Sequence, residues 1–228
     1  MQKSGLNLQA NAVKPRFGLL FMVLAIGMAG VLCWYGYRYY TTGESLPIPM
    51  PFVAANPHVD ESTVTKEQLR SHSTGGDKPK YLSIPALNIQ QARVYGVDVL
   101  ANGELGTPHN INDIGWYGKS SLPGSGGTML MDGHNGGPTR DGVFKRLGEL
   151  KSGDEIVITR GDNEEFRYTV QEVKHMSVDE LNNGHMQTMT KAIAPGREGL
   201  NLITCTGNWV PAKQTYDQRV TIRASLAV

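Results

Sequence analysis

Cysteines, basic clusters and metal-binding patterns are scarce in this sequence. Its only cysteines are Cys33 and Cys205, and Cys33 lies within an apolar segment, so no disulfide framework is available. The formal net charge is +1 and no dense run of Lys and Arg occurs, which argues against a nucleic-acid partner. No cluster of His, Cys and Asp has the spacing of metal ligands, so we expect neither a metal nor a cofactor.

The N-terminal part contains one long uncharged run. Residues 17–37 have no charged side chain, and at 1.5 Å per residue such a helix spans about 30 Å, the thickness of a bilayer core. Lys3, Lys14 and Arg16 precede the run and Arg38 follows it, which favours a cytoplasmic N-terminus. We therefore predict a cytoplasmic tail (1–16), a single transmembrane helix (17–37) and an extracellular C-terminal part. The alternative, a cleaved signal peptide, is disfavoured because aromatic residues rather than a polar start follow the run.

A spacer and one folded domain follow the helix. Residues 38–76 are polar and rich in proline, which is typical of an extended linker, with a short helix near residues 64–69. Residues 77–228 are long enough for one domain with a substantial core.

Short strands separated by turns dominate this domain. Segments such as DEIVITR, EEFRYTVQEV, LNLITC and QRVTIRASL alternate or are continuously apolar, and PGSGG, NGG and SGD separate such segments. Seven to eight short strands predict an all-β fold, a closed or nearly closed β barrel with short helices.

Cys205 is the first candidate for chemistry. It ends the apolar run LNLITC, where we expect a strand to stop and a loop to begin. A thiol needs a cationic or basic neighbour to become a nucleophilic thiolate at neutral pH, and otherwise it is a small buried apolar residue.

His134 and Arg219 are the candidate neighbours of this thiol. His134 follows an apolar strand in MLMDGH, and His109 is a competing histidine. Arg219 opens the last strand and would lie beside Cys205 if LNLITC and QRVTIRA pair as antiparallel neighbours, where it could stabilise an oxyanion. Arg223 shares the same strand face and is the competing arginine. Taken alone, each could equally be a surface residue.

The order of these residues and their surroundings resemble the sortase family. The segments YLSIPALNI, GWYGKSSLPGSGGTMLMDGH, GVFKRLGELKSGDEIVI and NLITC carry the resemblance over residues 80–226. In the family's TLxTC signature, Asn201 replaces the first Thr, whereas Thr204 and Cys205 are present. The segment YDQRVTIRA is more similar to class E or F sortases than to the pilin polymerases.

The resemblance implies a function and a fold. It implies a sortase-like barrel in which Cys205 attacks an LPxTG-like sorting signal to form a thioester, His134 transfers protons, and Arg219 binds substrate and oxyanion. Thr204 would contact the substrate. The implied partners are surface proteins bearing the signal and an amine of a peptidoglycan precursor or of a pilin lysine.

Two other kinds of protein remain as alternatives. Other cysteine enzymes of the cell wall, the L,D-transpeptidases and the NlpC/P60-type peptidases, are disfavoured because His134 precedes Cys205 at a distance. A surface binding module, or a sortase relative without catalysis, is disfavoured by the presence of all three candidate residues.

Overall fold

The computed structural model describes residues 17–44 and 59–227. The first element, helix α1 (Phe17–Thr42), includes the one stretch in these ranges that is long and apolar enough to cross a membrane, Gly18–Thr42. The helix continues beyond the predicted span because the hydroxyls of Thr41 and Thr42 bond the carbonyls of Tyr37 and Arg38. It ends at Gly43, whose φ of +73° is the left-handed conformation that glycine adopts without strain.

A second helix lies in the predicted linker. Helix α2 (Lys66–Ser71) begins with a reciprocal pair of hydrogen bonds, from Gln68 N to Thr65 Oγ1 and from Thr65 N to Gln68 Oε1. The Tyr81 hydroxyl of the barrel donates to the carbonyl of Leu69 at 2.5 Å. Residues 59–76 of the predicted linker therefore pack on the barrel. Hydrogen bonds and ring contacts of His72 with Tyr81 and Tyr95 make this packing, which the polar composition did not predict. The Pro-rich residues 45–58 lie outside the described ranges.

Eight strands follow. They are β1 (Pro79–Ile84), β2 (Ile89–Val97), β3 (Ile114–Tyr117), β4 (Thr128–Gly133), β5 (Glu155–Arg160), β6 (Glu165–Ser177), β7 (Gly199–Val210) and β8 (Thr215–Leu226). Between β6 and β7 lie short helical segments: α3 (Val178–Glu180), a wide turn (Leu181–His185) and α4 (Met186–Met189). A single 3₁₀ turn, Leu147–Glu149, lies between β4 and β5.

The strands close into a barrel in the order β1-β2-β3-β4-β7-β8-β6-β5, and β5 pairs with β1. The β2–β3 and β4–β7 pairs are parallel, and the other pairs are antiparallel. Closure leaves no free sheet edge to be protected from other chains. The predicted all-β barrel with short helices is confirmed.

Apolar side chains fill the barrel and also cover part of its outside. Met129 and Met131 of β4 point inward and are fully buried in the main core. Leu130 lies between them and therefore points outward, because successive side chains of a strand alternate between faces. It packs in a second cluster with Met176, Leu181, Met189 and Ile203. This second cluster supports the outer surface of β4 and β7.

Candidate active site

Strand β4 leads to His134, and its neighbour β7 contains Cys205. The two strands are parallel, and Asp132 is the register partner of Ile203. Cys205 follows Ile203 by two residues within β7, whereas His134 follows Asp132 by two residues and lies just past the end of β4 at Gly133. Neighbouring strands are about 4.8 Å apart. Within β7, Cys205 shares the outer face with Ile203 because side chains two residues apart point the same way.

Thr204 fastens this pair of strands at the site. Its hydroxyl donates a 2.8 Å hydrogen bond to the carbonyl of Gly133, the residue before His134. Thr204 is buried. The contact that the structure gives its hydroxyl is thus with the protein, and a contact with substrate stays a prediction.

Strand β7 does not stop at Cys205, contrary to the expectation from the sequence. It continues after an irregularity between Thr206 and Trp209, where the register against β8 shifts. Gly207 has a φ of +83°, a left-handed conformation at this bulge. The bulge interrupts the apolar pattern, and for this reason the sequence indicated a strand end.

Strand β8 places Arg219 directly opposite Cys205. The two are register partners in the antiparallel β7–β8 pair, so the predicted pairing is confirmed. The guanidinium of Arg219 donates to the carbonyls of Tyr216 and Gln218 at 2.8 and 2.9 Å, and to Thr215 Oγ1 at 2.9 Å. All of these acceptors are neutral. The positive charge therefore remains available to a negative group that develops at Cys205.

Arg223, the competing arginine, lies further along the same strand. It is the register partner of Asn201. One of its nitrogens, Nη2, donates to the carbonyl of Lys191 at 3.2 Å, and Nη1 lies 3.9 Å from a carboxylate oxygen of Glu172. Its described contacts thus hold the connection between β6 and β7 on the barrel.

The thiol of Cys205 is free and half-buried. Burial raises its pKa, which favours the protonated thiol. The positive charge of Arg219 and a hydrogen bond from Thr215 act in the opposite direction, while the carboxylates of Asp132 and Glu104 raise the pKa further. The resting group is therefore a thiol that must lose its proton before it attacks.

His134 is held by the loop between β2 and β3. Its Nε2 lies 2.7 Å from the carbonyl oxygen of Pro108. Because a carbonyl only accepts, Nε2 carries a hydrogen, and the lone pair of the neutral ring lies on Nδ1. Burial lowers the pKa of His134, and the nearby His109 lowers it further, while the bond to Pro108 raises it. The net effect favours a neutral imidazole, which can accept a proton.

The other described histidines differ in their distance from His134. The competing candidate, His109, is exposed and follows Pro108 in the loop that bonds His134. His72 bonds a backbone carbonyl of β2, His175 belongs to β6, and His185 lies in the connection after β6. His58 is outside the described residues.

The barrel domain matches a known protein family. The family model of the sortase domain matches residues 82–227. The chain belongs to the sortase family. Sortase D of Bacillus subtilis (strain 168) is 29% identical to it over 153 residues, which is 64% of this chain and 66% of that relative. This sortase thus spans slightly less than two thirds of that relative's length.

Solved sortase structures resemble the sortase domain in fold. Sortase A from Corynebacterium diphtheriae, in a lid mutant, has a TM-score of 0.50 and 22% identity, covering 71% of this chain and 76% of that one. Sortase C of Streptococcus pneumoniae has a TM-score of 0.49 and 18% identity, covering 79% and 81% of the two chains. The similarity to sortase A supports the sortase-like barrel predicted from the sequence.

Asp132 is a neighbour of the sortase site that the sequence analysis did not single out. It is 5% exposed, and its Oδ1 has no hydrogen-bond partner in the part of the chain that the structure describes. Burial raises its pKa well above the usual range. Gly115 makes room for this carboxyl, since a Cβ there would collide with it. In the sequence, Asp132 could have been noticed because it is an acidic residue in the apolar run MLMDGH.

Glu198 is a second buried acid that the sequence did not reveal. Its two carboxylate oxygens accept the N–H groups of Gly124 and Gly126 at 3.0 and 2.7 Å, and the Tyr168 hydroxyl also donates to it. This carboxylate fixes the turn between β3 and β4 and thereby the start of the strand that leads to His134.

The acidic and histidine side chains of the sortase domain are otherwise dispersed. Among residues 17–44 and 59–227, no group of three or more His, Cys, Asp or Glu side chains could hold a metal ion.

Proposed function

We propose that this chain is a membrane-anchored cysteine transpeptidase that cleaves an LPxTG-like sorting signal and transfers the protein to an amine of the cell wall. The observation that carries the proposal is the strand arrangement: Arg219 is the register partner of Cys205 on β8, and His134 directly follows β4, the strand on the other side of β7. Membership of the sortase family supports the reaction class.

The first half-reaction cleaves the signal. His134 accepts the thiol proton of Cys205, and the sulfur attacks the carbonyl carbon of the signal's Thr. A carbon–sulfur bond forms and the carbonyl oxygen becomes negatively charged. When the intermediate collapses, the carbon–nitrogen bond breaks and His134 gives the proton to the leaving amine. The product is a thioester on Cys205.

The second half-reaction uses the same groups in reverse. The neutral His134 accepts a proton from the incoming amine, whose nitrogen attacks the thioester carbon. The carbon–sulfur bond breaks, and the Cys205 sulfur recovers the proton from His134. Arg219 stabilises the oxyanion in both halves, because its charge is opposite Cys205 and its described hydrogen bonds go only to neutral acceptors.

Helix α1 determines the proposed cellular location of the enzyme. Helix α1 acts as a single-pass anchor with the sortase domain outside the cell, near acceptors such as a peptidoglycan precursor or a pilin lysine. The apolar, exposed helix supports an anchor or a signal sequence equally, and the weak positive-inside bias favours the anchor orientation. Membership of class E or F stays a prediction.

The proposal is tested by trapping the acyl-enzyme. We expect the full-length chain, incubated with a library of LPxTG-like peptides, to gain the mass of the acyl fragment on Cys205. Cys205→Ala abolishes both the adduct and transfer to an amine, because the other cysteine, Cys33, lies in the apolar helix α1 and outside the barrel. Cys33→Ala, which removes the other cysteine from the exposed apolar helix, is the matched control and keeps full activity. Turnover by Cys205→Ala would refute the nucleophile assignment.

A surface binding module without catalysis is the competing function. An unreactive Cys205 toward a methanethiosulfonate reagent, in a folded chain that binds the signal peptide without cleaving it, would favour that function.

A further inference from the structure

Two loops border His134. The loop from β2 to β3 (98–113) carries Pro108, whose carbonyl accepts the Nε2–H of the histidine. The loop after β4 begins with His134 itself and turns back at Phe144, whose N–H bonds the His134 carbonyl at 3.0 Å. The two loops meet where Val143 N donates to Ile111 O at 2.8 Å. The position of the imidazole therefore depends on both loops.

Residues 59–63, here named the strap, bind the first of these loops. The strap runs parallel to it, with Asp60 paired to Asn110. Asp60 N donates to His109 O at 2.9 Å, and Ile111 N donates to Asp60 O at 3.0 Å. The side-chain amide of Asn110 donates to Asp60 Oδ2 at 3.0 Å and to Ser62 O at 2.9 Å. The first of these bonds holds the carbonyl of His109, the residue next to Pro108.

The strap binds the second loop through Glu61. Its carboxylate accepts hydrogen bonds from Thr139 N at 2.8 Å, from Thr139 Oγ1 at 2.6 Å and from Arg140 N at 3.0 Å. Arg140 returns two bonds, from Nη1 to the Glu61 carbonyl at 2.9 Å and to Thr63 Oγ1 at 3.0 Å. Gly137 lies against the same carboxylate, and a Cβ there would collide with it.

We propose that the strap positions His134 for proton transfer by joining the two loops that border it, with Asp60 and Glu61 as positioning residues. This inference rests on the proposed role of His134. An imidazole just beyond a strand end has no strand partner of its own, so its ring is oriented by Pro108 and by the loop that follows it. If the strap releases either loop, the distance between Nδ1 and the Cys205 sulfur is no longer fixed.

The ionisation of the strap supports this role. The hydrogen bond from Asn110 lowers the pKa of Asp60 to about 2, and the hydrogen bonds from Thr139 lower the pKa of Glu61. Both groups are therefore charged at neutral pH, and charge-assisted hydrogen bonds are stronger than neutral ones.

The strap also lies close in sequence to the proposed membrane anchor. The strap directly follows residues 45–58, which join it to the end of helix α1. The segment that leaves the anchor thus reaches the site before it enters β1.

The test compares Glu61→Ala with Glu67→Ala in the full-length chain, using an LPxTG-type peptide and a glycine peptide as the amine. Glu67 is exposed on α2 and serves as the matched control. We expect Glu61→Ala to lower kcat about tenfold or more with KM within about twofold, because a small displacement of a catalytic group costs rate rather than binding. Glu61→Gln, whose amide oxygen can still accept from the Thr139 and Arg140 N–H groups, restores most of kcat.

Two further measurements separate the possible outcomes. Amide hydrogen exchange at Thr139 and Arg140 reports the loop directly, and it accelerates in Glu61→Ala if the strap holds the loop. The melting temperature corrects the rate for unfolded protein. Equal kcat in Glu61→Ala and Glu67→Ala, or a loss that matches the unfolded fraction, overturns the positioning role. His134→Ala is assayed in parallel: if that variant retains its rate, the proposed role of His134 fails instead.

Discussion

At the scale of single residues, the site depends on which charge lies next to the sulfur. Arg219 and Arg223 lie on the same strand, yet only Arg219 is the register partner of Cys205. Arg223 instead bonds the connection between β6 and β7. The two arginines therefore differ in what they can stabilise.

This difference gives a prediction for the two arginines. Arg219→Ala lowers kcat/KM for the signal peptide by about 10²–10³-fold, the usual cost of an oxyanion donor. Arg223→Ala is the matched control and costs far less, because its guanidinium faces Lys191 and Glu172. Steady-state kinetics with one peptide measures both, and the reverse ranking would exchange their roles.

The sequence identified some candidate residues of the site and missed others. His134, Cys205 and Arg219 could be selected because each stands next to an apolar strand in a recognisable motif. Pro108 could not, because it acts through a carbonyl that every residue has. Asp132 stands out in the sequence as an acid in an apolar run, but the space that Gly115 leaves for it is visible only in the fold. Contacts between distant segments become visible only in the fold.

At the scale of elements, β4 is the strand that leads into the site, and it contains a buried acid. Asp132 lies between strands β3 and β7, with Gly115 and Ile203 as its partners. The strand prediction came from the apolar run around it. The ends of elements were harder: β7 passes through Cys205 and bulges near Gly207, and a bulge disrupts the alternation that reveals strands.

The buried acid of β4 makes stability depend on pH. A raised folded-state pKa means that Asp132 ionises more easily in the unfolded chain, so its contribution to stability falls as pH rises above about 3.8. Asp132→Asn therefore raises the free energy of unfolding at pH 7 by about 1–3 kcal/mol, and the gain disappears near pH 3. Urea unfolding from pH 3 to 8 measures this.

Asp162→Asn is the control, for which we expect the opposite change in the free energy of unfolding at pH 7. A hydrogen bond from the Arg160 guanidinium lowers the pKa of Asp162 to about 2. This carboxylate stabilises the fold above its unfolded pKa of about 3.8 and loses that contribution as pH falls toward 2. Its Asn variant is thus less stable at pH 7. A gain for both variants would mean that burial does not govern Asp132.

At the scale of the whole molecule, one apolar helix is joined to one barrel. The barrel followed from the sequence because many short strands of suitable spacing leave few other arrangements. The packing of residues 59–76 on its surface did not follow, because a polar segment that is held by backbone hydrogen bonds has the composition of a linker.

This architecture predicts a topology that can be measured. With small uncharged tags at both ends, external protease removes the C-terminal tag from intact cells, while the N-terminal tag stays protected and attached to the chain. The tags lack Lys and Arg so that the charge bias around the helix is unchanged. Loss of the N-terminal tag from the mature protein would indicate a cleaved signal peptide.

The burial of Cys205 also affects how fast oxidants inactivate its sulfur. Peroxide and other oxidants react with a thiolate far faster than with a thiol. A sulfur whose negative form is disfavoured in the resting protein is therefore protected while the enzyme waits for substrate. The chain provides no second cysteine in the barrel that could repair oxidation by forming a disulfide. Under the proposed function, keeping the resting sulfur protonated thus gives a nucleophile that works outside the cell a longer working life.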